Sequence, residues 1–183
     1  MRFGILLLLT LSLLSTDLVA QKWFTRDGKI SFFSEAPLEK IEAENSSGTS
    51  VLDAESGRIE FAVLIKGFQF ESALMQEHFN ENYMDSDKFP KSTFKGYIED
   101  PETILWDQDG EYEVSVKGDL TIHGVTKEVS VPASFSMKEG SLSGNCTFVV
   151  AVADYDIKIP KLVRENIAKE VEISVQSDYK IFQ

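Results

Sequence analysis

From Val114 to Val131 the chain alternates between apolar and polar positions. Val114, Val116, Leu120 and Ile122 share one parity, and Ser115, Lys117, Thr121 and His123 share the other. A period of two predicts a strand with one apolar face. Gly124 interrupts the run, and alternation resumes at Val129 and Val131. This predicts a second strand and a hairpin that buries one side. The same period marks residues 58–66, where Ile59, Phe61, Val63 and Ile65 oppose Glu60, Ala62 and Leu64. Both sides of that strand are rather apolar, which predicts a cover over its outer face. Phe94, Gly96 and Ile98 oppose Lys95 and Tyr97 in residues 92–99, and Val171, Ile173 and Val175 oppose Glu170, Glu172 and Ser174 in residues 168–182. Further strands are predicted over 24–34 and 142–152, with less regular pieces at 38–44 and 49–52. Asn45 to Gly48, Asp53 to Gly57, Asp107 to Gly110 and Glu139-Gly140 carry turn chemistry.

Only one segment clearly changes period. Leu74, Met75, His78, Phe79 and Tyr83 fall at helical spacing, and Ser72 is placed to cap the start. This helix would either cover the outer face of the preceding strand or close one end of a barrel. Eight or nine strands joined by tight turns, without linker or repeat, predict an antiparallel barrel or sandwich.

The first twenty residues stand apart. Arg2 precedes a nearly all-apolar stretch from Ile5 to Leu14, and a more polar exit ends in a small residue at Ala20. This reads as a secretory signal peptide cut near Ala20, leaving residues 21–183 as one domain. Its apolar core is shorter than the roughly 20 residues that span a bilayer, and no cysteine follows it to carry a lipid anchor. The net charge of −12 argues against nucleic acid and against stable insertion or docking on anionic lipid. The single cysteine, Cys146, has no partner for an internal disulfide. It shares parity with Leu142, Phe148 and Val150, which predicts burial as a small hydrophobe. Asn45-Ser46-Ser47 and Asn145-Cys146-Thr147 match the glycosylation sequon, a short and frequent motif.

The wording of several segments adds to their pattern. Gly118-Asp119-Leu120-Thr121-Ile122-His123-Gly124-Val125-Thr126-Lys127 resembles the G-D-L-T-x-H-G-V-T-K signature of the YceI-like family. His78-Phe79 followed by Phe89-Pro90-Lys91-Ser92-Thr93-Phe94 is similar to that family's H-L … Y-P-x-x-T-F segment, and Asp154-Tyr155-Asp156-Ile157 to its D-F-G-I stretch. Residues 167–173 resemble its closing strand. The chain departs from the pattern at Met75-Gln76, where Arg-Asp is usual, and at Val152 and Asp156, where arginine and glycine are commoner. The resemblance implies an all-β, eight-stranded antiparallel lipocalin-like barrel with one short helix in the 70–90 connection. It also implies a periplasmic or secreted bacterial protein that binds, stores or transports a long-chain isoprenoid or other lipid without catalysis.

The inward candidates for a hydrocarbon-lined interior are Phe61, Val63, Phe70, Phe94, Ile98, Val116, Leu120, Ile122, Phe135, Phe148 and Val150. From the residues alone they read first as a filled core. The resemblance shifts the expectation to an open cavity with bound lipid and no other cofactor. The alternative is a solid-core barrel acting as a protein-interaction or stress-response module. His78 with Glu77 and Glu81 is the one candidate metal cluster, and Glu77 lies off the face shared by the other two, so no metal is expected. His123 sits beside a turn, and a hydrogen bond that fixes that turn is expected of it. There is no G-x-S-x-G, and Cys146 has no evident base. Asp85 and Asp87 read as solvated loop charges and Glu111 and Glu113 as outward strand positions, so catalytic residues are not expected. Whether two chains pair is left open.

Overall fold

The computed structural model describes residues 21–161 and 166–182. The expected leader, residues 1–20, lies outside the described residues. The elements in chain order are β1 (Lys22–Glu35), β2 (Lys40–Asp53), β3 (Arg58–Leu64), β4 (Gln69–Phe70), α1 (Ala73–His78), β5 (Lys91–Ile98), β6 (Gly110–Ile122), β7 (Val125–Lys138), β8 (Ser141–Ala151) and β9 (Glu170–Ile181). All pairings are antiparallel, and β1 pairs with both β2 and β9, so the sheet closes on itself. The two-residue β4 only hangs on the first half of β2. Eight strands therefore form a closed barrel, not a sandwich.

The β6–β7 hairpin is the longest uninterrupted ladder, running in register from Ile122↔Val125 to Gly110↔Met137. Its loop is His123-Gly124, with φ of 50° and 77°. Two successive left-handed residues match the twist of the flanking strands, as in the favoured two-residue hairpin turns. The His123 Nδ1 lies 3.1 Å from the carbonyl oxygen of Tyr155, and its ring packs edge-on against Phe89 at 4.5 Å. The expected role of His123 in fixing the turn is thus met by a bond across the barrel rim.

The wall has two seams. Pro132 lacks an N–H, and the β7–β8 ladder begins only at Ala133↔Cys146. Beyond Pro132 the two strands part. Tyr155 and Ile157, from the connection after β8, pack there with Leu120, Ile122, Val125 and Val129. On the other side, β2 pairs with β3 from Thr49 to Leu52 and with β4 at Ala43 and Glu44. Asn45 stands between these ladders, 2% exposed. Its Nδ2 donates to the Leu64 carbonyl at 2.9 Å, and its Oδ1 accepts from the Ser47 backbone N–H at 2.8 Å. Asn45 to Gly48, expected as a turn, instead continues β2 through an irregular register against β1. The turn-forming residues are absorbed into a bulge whose loose backbone groups Asn45 satisfies. The same burial removes the Asn45 amide from the surface that a glycosylation sequon needs.

Where β5 meets β6, Gly96 faces Gly118 across the ladder. A Cβ on Gly96 would come within 2.3 Å of the Lys117 carbonyl oxygen and 2.6 Å of the Phe94 ring. Paired glycines let the sheet coil sharply there while Phe94 covers the gap.

The cover expected over the outer face of β3 is absent among the described residues, and Leu64 is 60% exposed. The helical segment lies at one end of the barrel instead. It is shorter than its periodicity suggests. α1 ends at His78 and a single wider turn carries the chain through Phe79 to Tyr83. Ser72 caps it as expected, accepting a hydrogen bond from the Met75 backbone N–H.

Candidate functional site

The two ends of the barrel differ. At one end Trp23, Leu52, Ile98, Phe135, Met137 and Leu142 are fully buried in one cluster, with Ile104 entering from the connection between β5 and β6 and Trp106 packed against it. This end is solid. Toward the other end the interior opens into a cavity of about 600 Å³, within the size range of small-molecule sites. Its walls come from all nine strands and α1, because alternate residues of each long strand point inward.

Phe61, Val63, Phe70, Phe94, Val116, Leu120, Ile122, Phe135, Phe148 and Val150 all line this cavity. Ile98 does not. It is 1% exposed inside the solid end, because β5 reaches the plug before it ends. Parity therefore places Ile98 inside the barrel but outside the cavity. Cys146 also faces the cavity, on the parity the sequence gives it. Burial pushes its thiol up to about 11.

Several lining residues were not among the expected ones. Ile30 and Phe32 of β1 and Val171, Ile173 and Val175 of β9 lie on the wall. The alternation in those strands marks them, and it was legible for β9 in particular. Phe68 carries no such signal, since it sits in a single turn, and Phe79 is marked only by the helical spacing of residues 74–83. Phe68 and Phe79 gather with Phe32 and Phe70 into an aromatic group beside the opening. The Phe70–Phe79 and Phe32–Phe79 ring centroids are 5.0 and 5.4 Å apart.

Polar residues are a minority on the cavity wall, with Ser34, Ser92, Thr93 and Asn145 on its strands. Glu39, Ser72, His78, Tyr83 and Asn166 stand toward α1 and the last connection. Asn166 Nδ2 donates to Glu39 Oε2 at 3.1 Å. Burial, assisted by the negative Glu39, raises the pKa of the Tyr83 hydroxyl. At the inner end stand Ser177 and Tyr179. The Ser50 hydroxyl donates to the Glu60 carbonyl at 2.9 Å and lies 3.0 Å from the Tyr179 hydroxyl. Since Ser50 has one proton, Tyr179 is the donor to Ser50.

Among the described residues, no three His, Cys, Asp or Glu side chains stand close enough to share a metal. His78 is a cavity-wall residue at the end of α1. Asp87 pairs with Lys66 in the loop before β5. Glu111 and Glu113 are exposed on the outside of β6. Chemically, the site is a hydrocarbon-walled tunnel, blind at one end, with a sparse polar rim.

Comparison with known proteins gives a family and a fold. The model of the YceI-like domain matches residues 25–179. A polyisoprenoid-binding domain from Saccharophagus degradans implicated in plant cell wall breakdown is similar in structure, with a TM-score of 0.76 at 10% identity, over 89% of this chain and 99% of that one. Burkholderia cenocepacia BcnA superposes with a TM-score of 0.69 at 16% identity, over 84% of this chain and 96% of that one. The Campylobacter jejuni YceI protein reaches 0.53 at 16% identity, over 75% and 81%. Among curated proteins nothing matches. With the family's domain spanning nearly the whole barrel, from β1 to β9, this chain belongs to the YceI-like family.

Proposed function

We propose that this protein is a non-catalytic carrier or store for a long-chain lipid, with a polyisoprenoid as the leading class of ligand. The observation that carries this reading is the apolar cavity of about 600 Å³ inside the barrel. A solid-core interaction module, the alternative, would fill that volume with side chains. The binding named for the Saccharophagus degradans domain supports the same class of ligand.

The energetics favour a long tail over a strong polar anchor. Each buried methylene contributes about 0.8 kcal/mol, so ten contribute roughly 8 kcal/mol against an association cost of at least ~4 kcal/mol. The same reading takes residues 1–20 as a cleaved leader and the working compartment as periplasmic or extracellular, where an extended hydrocarbon needs shelter from water. A fold held without an internal disulfide suits that setting because the closed sheet itself supplies the constraint.

The test is purification without detergent followed by native mass spectrometry and organic extraction. Protein carrying a long-chain lipid at near one per barrel is expected. A lipid-free barrel that also fails to take up an added long-chain prenol would overturn the proposal.

A further inference from the structure

The inner end of the tunnel is not purely hydrocarbon. Ser177 and Tyr179 lie two residues apart on β9, so both point inward at neighbouring levels. They are 3% and 6% exposed, and both line the cavity. The Tyr179 proton is committed to Ser50, which leaves the phenol oxygen able to accept. A hydrogen-bond contribution from Ser177 lowers the Tyr179 phenol against the upward push of burial, while the Ser177 Oγ meets full hydrogen-bond geometry with no described residue. A buried hydroxyl without a partner is costly. A ligand whose inserted end is plain hydrocarbon would leave that cost in place.

We infer that the tunnel floor formed by Ser177 and Tyr179 is a recognition site for an uncharged oxygen, a hydroxyl or carbonyl, on the leading end of the inserted ligand. Ser177 donates to that oxygen. A ligand hydroxyl in turn donates to the Tyr179 phenol oxygen, so each group finds a partner. An ionised carboxylate does not fit, because no lysine or arginine among the described residues lines the cavity and a buried charge needs a counter-charge. This inference rests on the proposal that the tunnel takes a long-chain ligand, and it narrows that class to chains with a polar tip that enters first.

The experiment uses the purified, delipidated protein and its Ser177→Ala and Tyr179→Phe variants. Hexadecanol and hexadecane are compared by displacement of a fluorescent naphthylamine probe. Hexadecanol is expected to bind about tenfold more tightly than hexadecane, the scale of one well-placed hydrogen-bond set. Each variant should bring that ratio close to one. Far-UV circular dichroism and a cooperative thermal transition show that the variants are folded. A ratio of one in the parent protein overturns the inference, as does a preference that survives both substitutions, since the hydroxyl would then be held by another polar group of the wall or by water at the opening. Failure of both compounds to displace the probe removes the carrier reading itself and the inference with it.

Discussion

At the scale of single residues, backbone conformation and burial give the sharpest expectations. Asp156 closes the turn after β8 with φ of 55°, at the position where the family pattern carries glycine. A side chain in the left-handed region costs on the order of 1 kcal/mol, which glycine avoids. Asp156→Gly is therefore expected to stabilise the protein by about 0.5–1 kcal/mol, read as a raised urea midpoint with unchanged slope. His123 pays a similar conformational cost but adds the contact to the Tyr155 carbonyl. His123→Ala keeps the strain and loses the bond, so a loss of about 1–2 kcal/mol is expected. Binding of a long-chain probe should change less, because His123 does not line the cavity. Cys146 offers a chemical readout. Its thiol is raised from 9.0 to about 11 by burial, and only the thiolate reacts. At a given pH below both values, two pKa units leave about a hundredfold less thiolate than an unperturbed thiol would have. Maleimide labelling of the folded protein should be slower by at least that factor than in urea, and should accelerate as the pH rises toward 11. Fast labelling at neutral pH would contradict the burial.

At the scale of elements, the strands were legible and the exceptions were local. Period-two alternation located the strands of the barrel because each has a dry inner face and a wet outer one. It failed at Asn45 to Gly48, since turn-forming residues and bulge-forming residues are the same residues. Only the partner strand decides between them, and Asn45 reaches that decision through Leu64, nineteen positions away. The helix was legible as a change of period, but its place was not. Apolar positions on both sides of β3 suggested an outer cover, whereas α1 lies at the open end and Leu64 stays exposed. The Gly96–Gly118 pair is an element-level device that alternation conceals, because each glycine sits on the inward parity and looks like a missing side chain. A Cβ on Gly118 would meet the Gly96 Cα and the Lys95 carbonyl oxygen at 2.4 Å. These are backbone atoms that cannot turn away. Gly118→Ala is expected to cost at least ~3 kcal/mol and to lower the yield of folded protein. A thermal midpoint within a few degrees of the parent would refute the account of this corner.

At the scale of the whole molecule, the sequence could say which residues face inward but not how far the interior is filled. A packed core and a lined tunnel have the same alternation. The difference lies in strand tilt, in the corner at Gly96 and Gly118, and in how deeply the β5–β6 connection pushes Ile104 and Trp106 into one end. None of these leaves a periodic mark, which is why Ile98 looked identical to its cavity-lining neighbours. The consequence is that the two ends of the barrel respond oppositely to the same kind of substitution. Enlarging a side chain at the plugged end meets a packed core and costs stability. Enlarging one midway along the tunnel fills empty volume. Val175 is such a position. It is half-buried, sits on the wall and is paired with Ile30 and Cys146 on the neighbouring strands. Val175→Phe is expected to leave the thermal midpoint within about 3 °C of the parent, since the ring gains wall contacts and displaces nothing. It shortens the usable tunnel, so affinity should fall severalfold for long chains and hold for short ones. Titration of a series of primary alcohols of increasing length checks this, with the length optimum moving down in the variant. An unmoved optimum would place the tail elsewhere on the protein, and a collapse of stability would mean that this stretch of the barrel is packed after all.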